Sequence, residues 1–148
     1  MKMVMQIVDD ASLSVEGEVV SMINKGLVVY FCAEKGDVES DLHFFAKKIA
    51  TLRIFKDDND KTNLSIKDIG GEVLLVSQFT LAGDYYHGNR PSFTNAEEQN
   101  KAKNMYEQLA ELLKKDYNIE VKMGVFGAHM IIKQTCNGPF TVFLEGKN

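Results

Sequence analysis

The sequence has no tryptophan, two prolines, two cysteines and three histidines in 148 residues. Each scarcity excludes something. Cys32 and Cys136 lie far apart, without a metal-ligand pattern and too few for a disulfide-stapled scaffold. Both sit in apolar, strand-like surroundings, which predicts two buried free thiols and a reducing, cytoplasmic setting. No apolar run approaches the roughly 18 residues of a membrane span. The opening MKMVMQIVDD is too soon charged for a secretory signal, so no membrane association is expected. GxSxG, HExxH, Walker and GxGxxG patterns are all missing. Nothing in the spacing supports a Ser-His-Asp triad, although the sequence leaves one open; if the chain is a hydrolase, backbone amides and a few hydroxyls are the catalytic groups expected. His43, His87 and His129 form no ligand cluster, so no metal or cofactor is expected. Basic residues are outnumbered 17 to 21, for a net charge of −4. That argues against coating nucleic acid along its backbone, but leaves open a local contact with one RNA end.

What is present is an ordinary globular composition, 45% apolar and 26% charged. The length predicts a single domain, 1–148, with a real core. The first third is strand-rich. Met1 to Val8, Ser12 to Val15, Glu18 to Ile23 and Leu27 to Cys32 read as strands, with a tight turn at Glu16-Gly17. Leu42, Phe45, Ala46, Ile49 and Ala50 form a helical stripe, which Asp37 or Ser40 can cap. Leu52 to Phe55 reads as a short strand, and the polar KDDNDKTN after it as a loop that lacks the features of a calcium site. A second helix begins near Asn95, with Asn95 and Glu98 as a cap pair and Ala102, Met105, Tyr106, Leu109, Leu112 and Leu113 as its buried stripe. Ile119 to Val125, Met130 to Thr135 and Phe140 to Leu144 read as strands, the last two joined by a turn at Cys136-Asn137-Gly138-Pro139. His129 reads as a structural histidine. The order of elements argues a mixed sheet with helices on one side.

Two stretches carry chemistry. Val73 to Val76 is a buried-strand run that stops at a polar cluster, Ser77, Gln78 and Thr80, around Phe79. Polar groups at the mouth of a rigid strand can build a site. A long irregular segment follows, in which His87 and Arg90 either meet a phosphate or are exposed loop residues.

VSQFTLAGD (Val76 to Asp84) with GNRPSF (Gly88 to Phe93), and NGPFT (Asn137 to Thr141), resemble the two signature motifs of the D-aminoacyl-tRNA deacylases, also called D-tyrosyl-tRNA deacylases. VEGEVV, the strand opening at Gly26, LRIF, Asn63-Leu64, GGEVLLVSQFTL and GVFGAHM add collinear matches over nearly the whole chain. The resemblance implies a mixed α+β, three-layer α/β/β fold, with two sheets sharing a core and two main helices, assembled as a homodimer. It implies hydrolysis of the ester linking a D-amino acid, or glycine mischarged on tRNA(Ala), to the 3′ end of tRNA. Ser77, Gln78, Phe79 and Thr80 would line the pocket, with the amides near Phe79 and Thr80 as an oxyanion hole. Gly138-Pro139, cis in the family, would reach into the partner subunit's pocket as a chirality filter, flanked by Asn137, Phe140 and Thr141. Attack would come from Thr80 or from water assisted by the terminal 2′-hydroxyl.

Two positions depart from the family pattern. Ile7 stands where the family carries an arginine that helps hold the Gly-Pro segment, and Phe140 replaces a valine. NGPFT leans toward a sibling group that removes L-alanine from threonine tRNA, whereas SQFTL does not. The alternatives are therefore an editing deacylase acting on L-Ala-tRNA(Thr), a non-catalytic nucleic-acid-binding relative and a generic small-ester hydrolase.

Overall fold

A computed structural model describes residues 1–146. In chain order its elements are β1 (Lys2–Val15), β2 (Glu18–Ile23), β3 (Gly26–Cys32), α1 (Asp41–Thr51), β4 (Phe55–Lys56), β5 (Thr62–Leu64), α2 (Ile66–Ile69), β6 (Glu72–Ser77), a 3-10 turn (Phe79–Ala82), α3 (Gln99–Tyr117), β7 (Glu120–Met123) and β8 (Ile131–Glu145).

The two unbroken apolar runs form the centre. β3 and β6 are apolar on both faces, which requires cover on both sides and suits parallel strands. They pair in parallel from Gly26↔Glu72 to Phe31↔Ser77, and β7 pairs in parallel on the other side of β6. Parallel neighbours need crossover connections. α1 lies in the β3-to-β6 connection and α3 in the β6-to-β7 connection. α1 buries all five residues of its predicted stripe. α3 buries Met105, Tyr106, Leu109 and Leu113, while Ala102 and Leu112 are partly buried against the same core. Both helices pack on Leu27, Val29, Phe31, Val73 and Leu75. The alternating residues Val28, Leu74 and Val76 face the other way, onto Val8, Ala11, Leu13 and Ile23.

That second face exists because β1 is long. Its first half, Lys2 to Val8, pairs with β3, its second half with β2, and β8 follows it along its outer edge. The expected layers are therefore helices, central strands and a second strand layer. The two strand layers are joined through β1 and β8 in one six-stranded sheet, and β4 with β5 makes a separate two-stranded ribbon.

Several local expectations are corrected. β1 is one strand, not two: the exposed Asp10 pairs with Thr135, and Asp9 is the extra residue at a register shift that the strand carries without ending. β8 runs through Cys136 to Pro139 rather than turning there. Cys136 is exposed, not buried, while Cys32 is buried as expected. α3 is capped by Glu98, whose carboxylate accepts from the amides of Asn100 and Lys101, so the helix begins after Asn95. The pairing expected within Leu52 to Phe55 involves only Phe55 and Lys56. α2 was not anticipated; Ser65 and Asp68 close it as a capping box. Ser40 is the N-cap residue of α1 but makes no side-chain bond there. Asp37 caps nothing. Its carboxylate is buried, accepts from the Glu34 amide at 2.7 Å and pairs with the Met1 ammonium at 2.6 Å. Among the described residues no helix is long and apolar enough to cross a membrane.

Candidate active site

Open parallel sheets place crevices beyond the carboxyl ends of their strands. Here three such ends converge. β3 ends at Phe31 and Cys32, β6 at Val76 and Ser77, and β7 leads into Phe126 to Met130; all line one cavity of about 560 Å³. The start of α3 closes it with Gln99 and Ala102, and Glu97 adds a carboxylate. Ser77, Gln78 and Phe79 of the sequence-predicted set lie in this wall; Thr80, expected there too, does not line the cavity, because the chain turns away from it after Phe79.

The backbone changes character directly after β6. The Gln78 amide still donates to Phe31 O at 2.7 Å, extending the ladder by one bond. The chain then tightens into the 3-10 turn, where the Leu81 amide bonds to Gln78 O and the Gly83 amide to Thr80 O. The first amides of such a turn have no acceptor within it. No protein acceptor is found among the described residues for the Phe79 and Thr80 amides. Two adjacent N–H groups are thus left without a protein partner, one of them on Phe79 in the cavity wall and the other on the next residue of the turn. Three contacts hold the turn. Gln78 Nε2 donates to Thr80 Oγ1 at 2.5 Å, Tyr85 Oη donates to Thr80 O at 2.8 Å, and the Phe79 ring meets Phe93 edge-on at 5.1 Å. Phe79 is 58% exposed even so, and therefore free to touch a ligand.

Thr80 Oγ1 accepts from Gln78. Among the described residues neither a carboxylate nor an imidazole is bonded to it. A threonine nucleophile needs a base, and this geometry supplies none. Cys32 lies behind the turn, its Sγ 3.6 Å from Phe79 O. Burial pushes its thiol up to about 11, so it stays protonated at neutral pH and supplies no thiolate nucleophile. Deeper still, the buried Tyr106 Oη donates to Leu75 O at 2.7 Å and ties α3 to β6 just before the site. Burial raises that phenol well above its ordinary range.

His87 and Arg90 are exposed on the loop after the turn. Paired backbone bonds between Asp84 and Ser92 pinch the loop at its base. His87 Nδ1 lies 2.6 Å from Asp84 Oδ2, and the Tyr86 amide and His87 together hold the Asp84 carboxyl below its usual range. Neither His87 nor Arg90 lines the cavity. His129 does, from an exposed loop position, and the expectation of a structural strand histidine is corrected. The wall from Phe126 to Met130 was missed as a site; its only sequence signal was the GVFGAHM string.

Asn137 to Thr141 do not join this cavity within the chain. They lie on β8, exposed except for Phe140, which is partly buried against the helix-side core. The Gly138-Pro139 bond is cis. Gly138 has φ of 129°, and a Cβ there would stand 2.8 Å from the Phe140 nitrogen, so the position requires glycine. Ile7, where the family's arginine was expected, is buried in the helix-side core.

The family model described as D-Tyr-tRNA(Tyr) deacylase matches residues 4–145. A D-aminoacyl-tRNA deacylase of Thermosipho melanesiensis is 44% identical over 147 residues, covering 99% of this chain and 98% of its own. One from Magnetococcus marinus is 46% identical over 145 residues, covering 98% and 96%. The solved structure of a protein named c-Myc DNA Unwinding Element Binding Protein is 37% identical, with a TM-score of 0.94 and full coverage of both chains.

Proposed function

The chain belongs to the D-Tyr-tRNA(Tyr) deacylase family, and from that premise we propose that it hydrolyses the ester of D-aminoacyl-tRNA, and of glycine mischarged on tRNA(Ala). The observation that carries this reading is the pair of unbonded amides, Phe79 and Thr80, in the turn that follows the cavity-lining end of β6, with Phe79 itself in the cavity wall. Such donors stabilise the oxyanion that forms when an ester carbonyl is attacked. In the proposed reaction, water adds to the carbonyl carbon. The terminal 2′-hydroxyl of the tRNA assists it, because Thr80 lacks a base. The carbon–oxygen bond to the ribose then breaks, the 3′ oxygen leaves as a hydroxyl, and free amino acid and tRNA are released.

Discrimination is assigned to Gly138-Pro139. Within one chain these residues stand apart from the cavity, so the reading requires a homodimer in which each subunit's Gly-Pro segment enters its partner's pocket. Rigid backbone then excludes an L side chain, a case of specificity by exclusion. His87 and Arg90 are assigned a supporting contact to the tRNA backbone.

The substrate class is tested with D-Tyr-tRNA alongside free D-tyrosine methyl ester. The proposal predicts rapid release of D-tyrosine from tRNA and negligible turnover of the free ester, which lacks the ribose hydroxyl. Comparable turnover of both would make this a generic small-ester hydrolase. Tight tRNA binding with no turnover would favour the nucleic-acid-binding reading, a role that the 37% identical protein carries in its name.

A further inference from the structure

β1 and β8 are in register at Gln6↔Thr141 and again at Val8↔Cys136. Between these points β1 uses one residue, Ile7, and β8 uses four, Asn137 to Phe140. Such a bulge disrupts the ladder locally and leaves its extra residues unpaired. A side-chain contact from β1 stands at each foot of it. At one foot Asn137 Nδ2 donates to Asp9 Oδ1 at 2.9 Å and to Oδ2 at 3.2 Å. At the other, Gln6 Nε2 donates to Thr141 Oγ1 at 3.2 Å. Gln6 is itself held from behind. Gln134 Nε2 donates to Gln6 Oε1 at 2.7 Å, and Tyr30 Oη donates to Gln134 Oε1 at 3.0 Å. Tyr30 pairs in β3 with Val76, which lines the cavity. A hydrogen-bonded chain therefore runs from the strands beneath the cavity to one foot of the bulge, and a carboxylate grips the other.

We infer that Asp9 and Gln6 are positioning residues that hold the Asn137 to Phe140 bulge in the geometry that separates D- from L-aminoacyl esters. This rests on the filter role proposed above for Gly138-Pro139. Neither Asp9 nor Gln6 lines the cavity, so each acts through the bulge. Exposed hydrogen bonds add little to global stability, but a displacement on the order of 1 Å at a selecting group can change rates about a hundredfold. The consequence falls on selectivity and not on folding.

The test compares turnover of D-Tyr-tRNA and L-Tyr-tRNA, with the thermal midpoint recorded for every variant. Asp9→Ala and Gln6→Leu each remove one brace. In each, the D-to-L ratio is expected to fall about tenfold or more while turnover of the D ester stays within about threefold. Asn137→Asp sets two carboxylates against each other and is expected to depress the ratio further. The swapped pair, Asp9→Asn with Asn137→Asp, restores one donor and one acceptor and is expected to recover the parent ratio within about threefold. A merely structural role would move the midpoint and leave the ratio alone, which overturns the inference. A swap that fails to recover the ratio overturns it for Asp9. A parent protein with no preference for the D ester defeats the filter reading and this inference with it. A preference that persists in all the variants defeats this inference alone.

Discussion

Exchanging the Thr80 peptide N–H for an ester oxygen is expected to lower kcat on D-Tyr-tRNA by about a hundred- to a thousandfold, the usual effect of deleting one oxyanion donor. The change replaces the N–H donor by an oxygen that cannot donate and leaves the Thr80 side chain in place. Thr80→Val gives the complementary result. It deletes the hydroxyl while keeping the amide, and turnover is expected to stay within about fivefold of the parent. The reason lies in the bonding. The hydroxyl is engaged by Gln78 Nε2 at 2.5 Å, with no base bonded to it, whereas the amide has no protein partner among the described residues. Single-turnover rates with both proteins check the pair. Loss of activity in Thr80→Val with tRNA binding intact, and retention in the ester protein, would reverse the roles of side chain and backbone.

Gly26→Ala is expected to give the largest loss of stability from a single methyl group. Gly26 opens β3 where it meets β6, and an added Cβ would stand 1.8 Å from Glu72 O. That neighbour is backbone, so no rotamer change relieves the contact. Overpacking a fitted core costs about 1–3 kcal/mol and occasionally more. This clash falls at the upper end, at roughly 3 kcal/mol, because the two strands must separate. Urea unfolding of parent and variant measures it. Because β3 and β6 supply two of the three strand ends that line the cavity, the folded fraction is also expected to lose turnover. A midpoint shift of less than about 0.5 kcal/mol would show that the β3–β6 contact yields more readily than its geometry implies.

How far these features were legible in the sequence depended on whether the signal was local. The unbroken runs in β3 and β6 identified central strands, and the 3.6-residue spacing in α1 and α3 identified their buried faces, because burial writes its period directly into the chain. Continuity was harder to read. Asp9 and Asp10 suggested a break in β1, and Cys136 to Pro139 suggested a turn in β8. Each is a long strand held to a partner more than 100 residues away, and such pairing overrides local turn preference. The same non-local pairing left Cys136 exposed in surroundings that looked apolar. At the site, Ser77 to Thr80 were legible because a buried run ended in polar residues. The wall from Phe126 to Met130 was not, since its role comes from the position of β7 beside β6 and not from its own composition. The braces at Asp9 and Gln6 were invisible for the same reason. Both bond to residues at least 128 positions away.

This chain is expected to select the D configuration through Gly138-Pro139 despite Ile7 and Phe140. The most direct measurement is deacylation of D-Tyr-tRNA and L-Tyr-tRNA by the purified protein, with L-Ala-tRNA(Thr) in parallel. Hydrolysis of the D ester, with both L esters left intact, is the predicted result. Hydrolysis of L-Ala-tRNA(Thr) at a comparable rate would contradict it, and would mean that the segment around Phe140 admits an L side chain.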